Sequence, residues 1–299
     1  MEIVKSLDDA RRTVRKWQRE GRCVGFVPTM GALHEGHLSL VHASAAECCK
    51  TVVSVFVNPA QFGPGEDLGR YPRRLKADCR MVERAGADLV FAPDERAMYP
   101  DGFCTYVAQE KLTDKLCGAL RPGHFRGVTT VVLKLFNIVP ADKAYFGRKD
   151  FQQTVVIRRM VEDLNLPVEI RVMPTVREKD GLAMSSRNEY LGPDERRQAV
   201  CLYEALTGAR RLFAEGETSA GRLIAAMRGV IARYPLAKPH YVEIVAPDTL
   251  EPVSRVAADS VAALAIFVGK TRLIDNMPFD ECEDVFAKET LRTRRRAKT

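Results

Sequence analysis

Short apolar runs alternate with longer amphipathic stretches through the first half of the chain. The strand-like runs lie at 23–27, 52–57, 88–92, 103–107, 144–146 and 168–173. Between several of them, apolar residues recur at helical spacing, at 37–50, 75–85, 128–139 and 150–164. Strands joined by helix-length segments favour right-handed crossovers and a mainly parallel sheet with helices on both faces. The pattern therefore predicts an α/β fold with a Rossmann-like parallel-sheet domain.

The second half has a different organisation, which begins after Asp180 and Gly181. Two helix-like stretches, 193–215 and 218–234, precede three strand-like runs at 240–245, 261–268 and 272–276. Helices followed by consecutive strands are typical of a small α+β domain. We therefore predict a Rossmann-like nucleotide- and substrate-binding domain at 1–178, a smaller α+β lid or dimer-side domain at 179–287, and a disordered basic tail at 288–299.

Composition excludes several classes of protein. At about 100–200 residues per domain, 299 residues suit two domains that can each bury a core. The longest apolar run has eight residues, whereas a membrane-spanning helix needs about 20. Glu2, Asp8 and Asp9 interrupt the region where a secretory signal needs an apolar core. The eight cysteines form no C-x-x-C pair, so we expect reduced thiols. Together, these features predict a cytoplasmic protein that does not bind a membrane.

The net charge of +7 is concentrated at one end of the chain. Residues 288–299 contain six basic residues and one acidic residue, and so carry five of the seven net positive charges. Such a run is typical of a solvated tail, and we do not expect nucleic acid as a partner. Binding of nucleic acid through this tail is the non-enzymatic alternative, and it would depend strongly on salt.

The common nucleotide-binding motifs are missing, but another candidate follows the first of these predicted strands. The sequence contains neither G-x-G-x-x-G nor G-x-x-x-x-G-K-[ST]. Residues 28–37, PTMGALHEGH, place His34 and His37 three residues apart at the start of a predicted helix. Unpaired N–H groups and the helix dipole favour an anion there, and two imidazoles would add donors. We interpret this segment as a phosphate site. Helix capping alone is the alternative, whereas the spacing does not fit the zinc motif H-E-x-x-H.

Three further polar clusters follow strand-like runs or lie in loops. Residues 146–153 offer Lys149 for phosphate, Asp150 for a helix cap or a ribose hydroxyl, and Gln153 for a small polar substrate. Residues 184–188 combine hydroxyls and a guanidinium, which suits a mobile loop over the outer phosphates of a nucleotide. Residues 56–62 offer two amides beside an aromatic ring. Taken singly, capping and ordinary turn chemistry explain each cluster as well.

Five long motifs occur in a fixed order: PTMGALHEGH (28–37), FVNPAQF (56–62), RPGHFRGV (121–128), YFGRKDFQQ (145–153) and PTVREKDGLAMSSRNEYL (174–191). In this order and spacing they resemble the pantothenate synthetase family, within the nucleotidyltransferases that carry HIGH-like and KMSKS-like motifs. The resemblance covers about 24–191, and the C-terminal part agrees in length and pattern. It implies an AMP-forming ligase of coenzyme A biosynthesis. Such an enzyme joins (R)-pantoate to β-alanine with ATP and Mg²⁺ through a pantoyl adenylate, releasing AMP and pyrophosphate.

The resemblance also implies roles for the matching residues. Catalytic roles fall on His34, His37, Lys149 and Arg187, with His37 the usual proton donor of the family. Gln61 and Gln153 would hold pantoate, and Gln61 would also lie near β-alanine. The loop 184–187 would close over the ligands. The ATP site would comprise Met30, Gly31, Ala32, Leu33, His34, Glu35, Gly36, His37, Gly147, Arg148, Lys149, Asp150, Val176, Met184, Ser185, Ser186 and Arg187.

Positions 117 and 78 receive no role in this site. Cys117 stands where many family members carry glutamate, so we assign it no role. Asp78 lies where the family often has an acidic residue, but we expect phosphate oxygens and water to hold Mg²⁺ and assign no protein ligand to the metal. The resemblance further implies small-molecule substrates and a homodimer. The enzymatic alternative is another nucleotidyltransferase with an H-x-G-H site, which would adenylylate a different acceptor and would not use β-alanine.

Overall fold

The computed structural model describes residues 1–280 and divides into two compact units. Unit 1 comprises Met1–Gly147 and Gln152–Met173, and unit 2 comprises Arg148–Phe151 and the described chain from Pro174 onward. The domain limits at 178 and 287 stay predictions, and the predicted basic tail lies outside the described residues. Within residues 1–280, no helix is both long enough and apolar enough to cross a membrane.

Unit 1 is built on a six-stranded sheet in which all neighbouring strands are parallel. The spatial order is β1-β4-β3-β2-β5-β6, so the chain moves outward in opposite directions from β2 and β5. Ligands of such sheets bind beyond the carboxyl ends of the strands at this reversal point. The strands are β1 (Glu2–Val4), β2 (Val24–Thr29), β3 (Lys50–Val55), β4 (Leu89–Phe91), β5 (Lys143–Gly147) and β6 (Glu169–Met173).

Helices cover both faces of this sheet. Val27 and Tyr145 pack in a cluster with apolar residues of the second and third helices. Their chain neighbours Phe26 and Phe146 point to the other face, where their ring centroids lie 6.4 and 6.5 Å from that of Phe136 in the sixth helix. The helices are α1 (Leu7–Arg19), α2 (Glu35–Glu47), α3 (Leu75–Arg84), α4 (Glu95–Met98), α5 (Leu116–Leu120), α6 (His124–Ile138) and α7 (Phe151–Asp163).

Unit 2 packs helices against a three-stranded antiparallel sheet. The strands β7 (Ala237–Val245), β8 (Val261–Val268) and β9 (Thr271–Pro278) pair in that order. The eight residues of β8 are almost all buried, which explains their continuous apolar sequence. Leucine, isoleucine and methionine side chains of the helices form one core with those of the sheet. The helices are α8 (Pro193–Gln198), α9 (Cys201–Ala214) and α10 (Ala220–Ile231).

Two sequence predictions were wrong in detail. Residues 103–107 do not form a strand. Threonine side chains of α6 bond their backbone instead, since Thr129 Oγ1 donates to Val107 O at 2.7 Å and Val107 N donates to Thr130 Oγ1 at 2.9 Å. The stretch 193–215, predicted as one helix, is divided into α8 and α9 by a turn at 199–200. The elements β1 and α1 at the N-terminus were not predicted.

Candidate active site

One buried carboxylate fixes the loop between β2 and α2. Gly31 and Ala32 have φ values of +85° and +51°, in the left-handed region. Asp78 of α3 is 2% exposed and accepts hydrogen bonds from Ala32 N at 3.1 Å and from Leu33 N at 3.0 Å. A Cβ at Gly31 would lie 3.1 Å from Asp78 Oδ2, so close approach and positive φ together require glycine. Asp78 thereby holds the backbone that carries the predicted ATP contacts at 30–33.

His34 and His37 lie together at the N-terminus of α2. His34 is the N-cap, and its Nδ1 accepts a hydrogen bond from Gly36 N at 3.1 Å. His37 Nδ1 accepts from His34 N at 3.4 Å, and the two ring centroids are 4.1 Å apart. A neutral imidazole that accepts at Nδ1 carries its proton on Nε2. Each ring in that form therefore presents an Nε2–H donor beside a helix N-terminus, which suits an anion.

Gln61 lies in a one-turn 3₁₀ helix, Pro59–Gln61, that follows β3. Its Nε2 lies 3.3 Å from Met30 Sδ, so the structure brings together the loops that follow β2 and β3. Asn58, which is buried, donates from Nδ2 to Gln61 Oε1 at 2.9 Å. The Tyr99 hydroxyl donates to Asn58 Oδ1 at 2.7 Å, and burial raises the pKa of Tyr99, which keeps it a neutral donor. This chain of bonds orients the Gln61 amide.

A second set of contacts holds the backbone of Gln61. His124 Nδ1 donates to Gln61 O at 2.8 Å, and Arg121 Nη1 lies 3.0 Å from His124 Nε2. Since the arginine can only donate, His124 Nε2 accepts and Nδ1 carries the proton. Arg121 also forms a two-point ion pair with Glu66 at 2.7 and 2.6 Å. Burial raises the pKa of Glu66, but the hydrogen bond and charge of Arg121 outweigh burial and leave that pKa below its ordinary value.

Gln153 lies in unit 1 on α7, half-buried, on a different element from Gln61. Its neighbour Gln152 is buried and donates from Nε2 to Leu112 O at 2.9 Å and to Lys115 O at 2.7 Å. Gln152 Oε1 accepts from Cys117 N at 2.9 Å. Both polar atoms of the Gln152 amide are thus hydrogen-bonded to backbone atoms within 112–117. Of the two adjacent glutamines, Gln153 is the one that the sequence assigns to substrate.

In unit 2, the predicted phosphate contacts begin in a 3₁₀ turn, Arg148–Asp150, between Gly147 at the end of β5 and the start of α7. Arg148 is buried. The Asn276 side chain donates to the carbonyl oxygens of Arg148 and Lys149. The peptide units on both sides of the Lys149 Cα atom are therefore hydrogen-bonded to a side chain of β9.

The other predicted nucleotide segment of unit 2 begins with a short hairpin. Met184 N donates to Val176 O at 3.0 Å, and Glu178 N donates to Leu182 O at 2.8 Å. Gly181 closes this hairpin at φ +91°, where a Cβ would collide with Tyr203. Both partners of the first bond are predicted ATP contacts.

The loop 184–187 continues into a 3₁₀ helix, Ser186–Tyr190. Ser185 caps it, and its Oγ accepts from Arg187 N at 3.3 Å. Asn188 Nδ2 donates to Glu178 Oε1 at 2.7 Å, and Arg196 pairs with Glu178 at 2.6 Å. The loop is therefore attached to the hairpin through Asn188 and Glu178.

The predicted site residues are distributed over both units. Unit 1 contains 30–37, Gly147, Gln61 and Gln153, and unit 2 contains 148–150, Val176 and 184–187. Within unit 1, the structure brings Met30 to Gln61 and His34 to His37. Within unit 2, both nucleotide segments are bound to a framework that includes β9.

A family model for pantoate-beta-alanine ligase matches residues 2–278 of the chain. Pantothenate synthetase from Heliobacterium modesticaldum is 55% identical over 277 residues, 93% of this chain and 99% of the relative. The crystal structure of pantothenate synthetase from Thermus thermophilus superposes with a TM-score of 0.90 at 46% identity, covering 94% of this chain and all of that one. The chain belongs to the pantoate–β-alanine ligase family.

A third comparison is with a relative whose structure was solved with ligands bound. The ligase from Francisella tularensis, solved with β,γ-ATP and β-alanine, is 32% identical with a TM-score of 0.76, covering 93% of this chain and 98% of that one. The resemblance found in the sequence is confirmed, as is the α/β fold with a smaller α+β part. This member of the pantoate–β-alanine ligase family is an enzyme, a ligase of pantothenate biosynthesis.

Sequence reasoning assigned no role to several residues that shape this ligase site. Asp78, Asn58, Tyr99 and His124 act on the loops of unit 1, and Asn276 acts on the Lys149 turn of unit 2. Asn58 and His124 lie within quoted family motifs, so a local signal existed for them. The other three lie outside those motifs. The family resemblance singled out the position of Asp78 without giving it a role, whereas Tyr99 and Asn276 become visible only through tertiary contacts.

Proposed function

We propose that this ligase activates (R)-pantoate with ATP and transfers the pantoyl group to β-alanine. In the first step a pantoate carboxylate oxygen attacks the α-phosphorus of ATP, and pyrophosphate leaves. In the second step the neutral amine of β-alanine attacks the adenylate carbonyl, AMP leaves with the bonding electron pair, and the nitrogen loses a proton to give the amide. The observation that carries the proposal is the pair of imidazoles at the N-terminus of α2, beside a loop that contacts Gln61.

Adenylation needs positioning and charge stabilisation more than covalent participation by the protein. His34 and His37 are proposed to donate to phosphate oxygens, because both rings lie where α2 presents its N-terminal amides. Lys149 and Arg187 are proposed as cationic contacts to the phosphates, and Asp150 as a ribose contact. Family membership and the residues that match its motifs support these roles. Adenylation by another nucleotidyltransferase, with a different acceptor, is disfavoured by the match over residues 2–278.

Mg²⁺ is proposed to arrive with ATP as part of the substrate. In the described part of the chain, no group of three or more His, Cys, Asp or Glu side chains is arranged to hold a metal ion. Asp78 already accepts two backbone hydrogen bonds, which favours a structural task for its carboxylate. Mg²⁺ commonly binds through substrate phosphates and retained waters, so phosphate oxygens are the proposed ligands.

The reaction is tested by exchange of labelled pyrophosphate into ATP, with and without pantoate, followed by addition of β-alanine. We expect exchange that requires pantoate and accumulation of AMP once β-alanine is present. Folded protein that shows no pantoate-dependent exchange would contradict the proposed first step.

Gln61 and Gln153 are proposed to hold pantoate, and Gly127 of α6 allows Gln61 to occupy its position. A Cβ at 127 would collide with Ala60 O and lie 2.6 Å from Gln61 Cα, both backbone atoms. Gly127→Ala is therefore expected to displace the 3₁₀ turn, to raise the KM for pantoate, and to destabilise the fold by about 1–3 kcal/mol. Steady-state kinetics and urea unfolding would measure the two effects.

Gly229→Ala in α10 is the matched control for this substitution. A Cβ at 229 meets nothing within 4 Å, so the Gly229→Ala substitution is expected to stabilise the protein by about 0.5–1 kcal/mol without changing the KM for pantoate. An unchanged KM in Gly127→Ala would argue against the proposed contact between Gln61 and pantoate.

The loop 184–187 is proposed to close over the phosphates and keep water from the adenylate. Arg187 gives trypsin a cleavage site in this loop. We expect ATP plus pantoate to slow cleavage after Arg187, with β-alanine alone as the control. Equal cleavage rates with and without ATP plus pantoate would contradict closure.

A cytoplasmic homodimer is proposed as the assembly. The seven cysteines of the described chain are free thiols, as is typical of reducing compartments. Leu120 of unit 1 is 42% exposed and would be available to a second copy. Light scattering of the purified protein should give twice the chain mass of 33.4 kDa, and a monomer mass would contradict the dimer.

A further inference from the structure

The turn that carries Lys149 is bound by a single side chain from β9. Asn276 Nδ2 donates to Arg148 O at 2.9 Å and to Lys149 O at 3.0 Å. Asn276 is 3% exposed, so these bonds lie away from bulk water, where their loss is costly. The two carbonyl groups belong to the peptide units on either side of the Lys149 Cα atom. Fixing both units restricts the direction in which the Lys149 side chain leaves the backbone.

The preceding residue of the same strand binds the other nucleotide segment of unit 2. Asp275 is 2% exposed and forms a two-point ion pair with Arg177, at 2.6 and 3.1 Å. Arg177 Nη1 also donates to Gly181 O at 3.0 Å, within the hairpin that leads to the loop 184–187. Two consecutive residues of β9 thus hold the Lys149 turn and this hairpin in one framework.

The strand that bears these two residues is itself firmly held. Asn276 and Asp275 pair with Ala263 and Leu264 of β8, the strand at the centre of the sheet. Both partners are buried. A side chain anchored in such a strand transmits little motion, which is what positioning of a charged group requires.

Among side chains of its size, the amide of Asn276 is suited to this arrangement. An asparagine Nδ2 group has two N–H donors, which match two carbonyl acceptors. Aspartate has almost the same shape, but when ionised it can only accept, so its oxygens would repel both carbonyl oxygens. The substitution Asn276→Asp therefore removes both bonds when the carboxylate is ionised, and at least one of them when it is protonated, with little change in volume.

We propose that Asn276 is a positioning residue for Lys149, acting on phosphate binding and pyrophosphate departure by fixing the Arg148–Asp150 turn. The inference rests on the proposed role of Lys149 at the phosphates. It predicts that Asn276 contributes to adenylation only while the Lys149 ammonium is present.

A double-mutant cycle tests this dependence. Pantoate-dependent pyrophosphate exchange is measured for wild type, Asn276→Asp, Lys149→Met and the double variant. Asn276→Asp alone is expected to lose about 10- to 100-fold, since misplacing a reacting-site group by about 1 Å can cost about 10². In the Lys149→Met background, the Asn276→Asp substitution should reduce the rate of pyrophosphate exchange little further. A loss of full size in both backgrounds would overturn the inference, and so would near-normal exchange in Asn276→Asp.

Two further measurements separate positioning from folding. Ile266→Val in β8 removes a buried methyl group from unit 2 without touching the turn, and is expected to lower the melting temperature while leaving exchange unchanged. If Asn276→Asp does not fold, Asn276→Ser replaces it in the double-mutant cycle. Serine keeps one hydrogen-bond donor, so Asn276→Ser should retain a higher rate of pyrophosphate exchange than Asn276→Ala. Near-normal exchange in Lys149→Met alone would instead refute the proposed role of Lys149, and the absence of pantoate-dependent exchange in wild type would refute the reaction.

Discussion

Replacing His37 with alanine is expected to reduce pantoate-dependent pyrophosphate exchange by at least about 10²–10³-fold while the protein still folds. The imidazole lies beside the N-terminal amides of α2, where it is proposed to donate to charge that develops on the phosphates. Its ring is half-buried, so truncation leaves no closed cavity in the core. Exchange kinetics and thermal unfolding of the same preparations would separate the loss of rate from any loss of stability.

His42 provides a matched control, because it lies on the same helix and is exposed. His42→Ala should leave exchange and melting temperature unchanged. His34→Ala is a less direct probe, since loss of an N-cap side chain itself costs about 0.5–2 kcal/mol of stability. Near-normal exchange in His37→Ala would remove His37 from the mechanism.

Much of the core of both units could be predicted because its signals are local. The run 261–268 coincides with β8, and the helix predicted at 75–85 coincides with α3 within one residue. Burial of one face gives α3 its helical spacing of apolar residues, whereas burial of both faces gives β8 its continuous apolar run. By contrast, α1 buries only Ala10 and Val14, and its remaining surface is strongly charged. Leu7, Ala10, Val14 and Trp17 nevertheless recur at helical spacing, so a local signal for this helix was present in the sequence.

Residues 103–107 show why a local pattern can mislead. This short run of mostly apolar residues resembles a strand, but the backbone of Val107 bonds to Thr129 and Thr130 of α6. The aromatic side chains are also occupied, since Phe103 and Tyr106 contact each other and Arg126 stacks on Tyr106 at 3.6 Å. Side-chain partners for a backbone segment depend on tertiary packing, which sequence periodicity does not encode.

The same distinction applies to the site. His34 and His37 could be placed at one helix end because i and i+3 spacing has a fixed geometry. Asp78 could not be connected with Ala32, because its partner lies 46 residues away and is a backbone amide of no distinctive type. Asn276 lies 127 residues from Lys149 and bonds only its carbonyl. Residues that act through backbone atoms leave no complementary residue type in the sequence.

Lys149→Met is expected to lower pantoate-dependent exchange by about 10²–10³-fold and to raise the KM for ATP more than the KM for pantoate. Methionine retains most of the aliphatic length but removes the charge proposed to meet the polyphosphate. Because Asn276 holds the backbone carbonyl of residue 149, the turn should keep its conformation in the variant. Lys270→Met, at an exposed position of the β8–β9 turn, should leave both KM values unchanged.

Lys149→Arg decides whether charge alone is needed at this position. A guanidinium retains the positive charge but presents a planar fork in place of a compact ammonium, so arginine should restore only part of the lost exchange. Full recovery would mean that the charge suffices, and that the backbone anchoring by Asn276 contributes little to orientation. Partial recovery, together with loss of the Asn276→Asp effect in Lys149→Met, is expected if β9 directs a single ammonium group toward the phosphates. No recovery accompanied by normal ATP binding would contradict a phosphate contact and would leave Lys149 with a role in the fold of the turn.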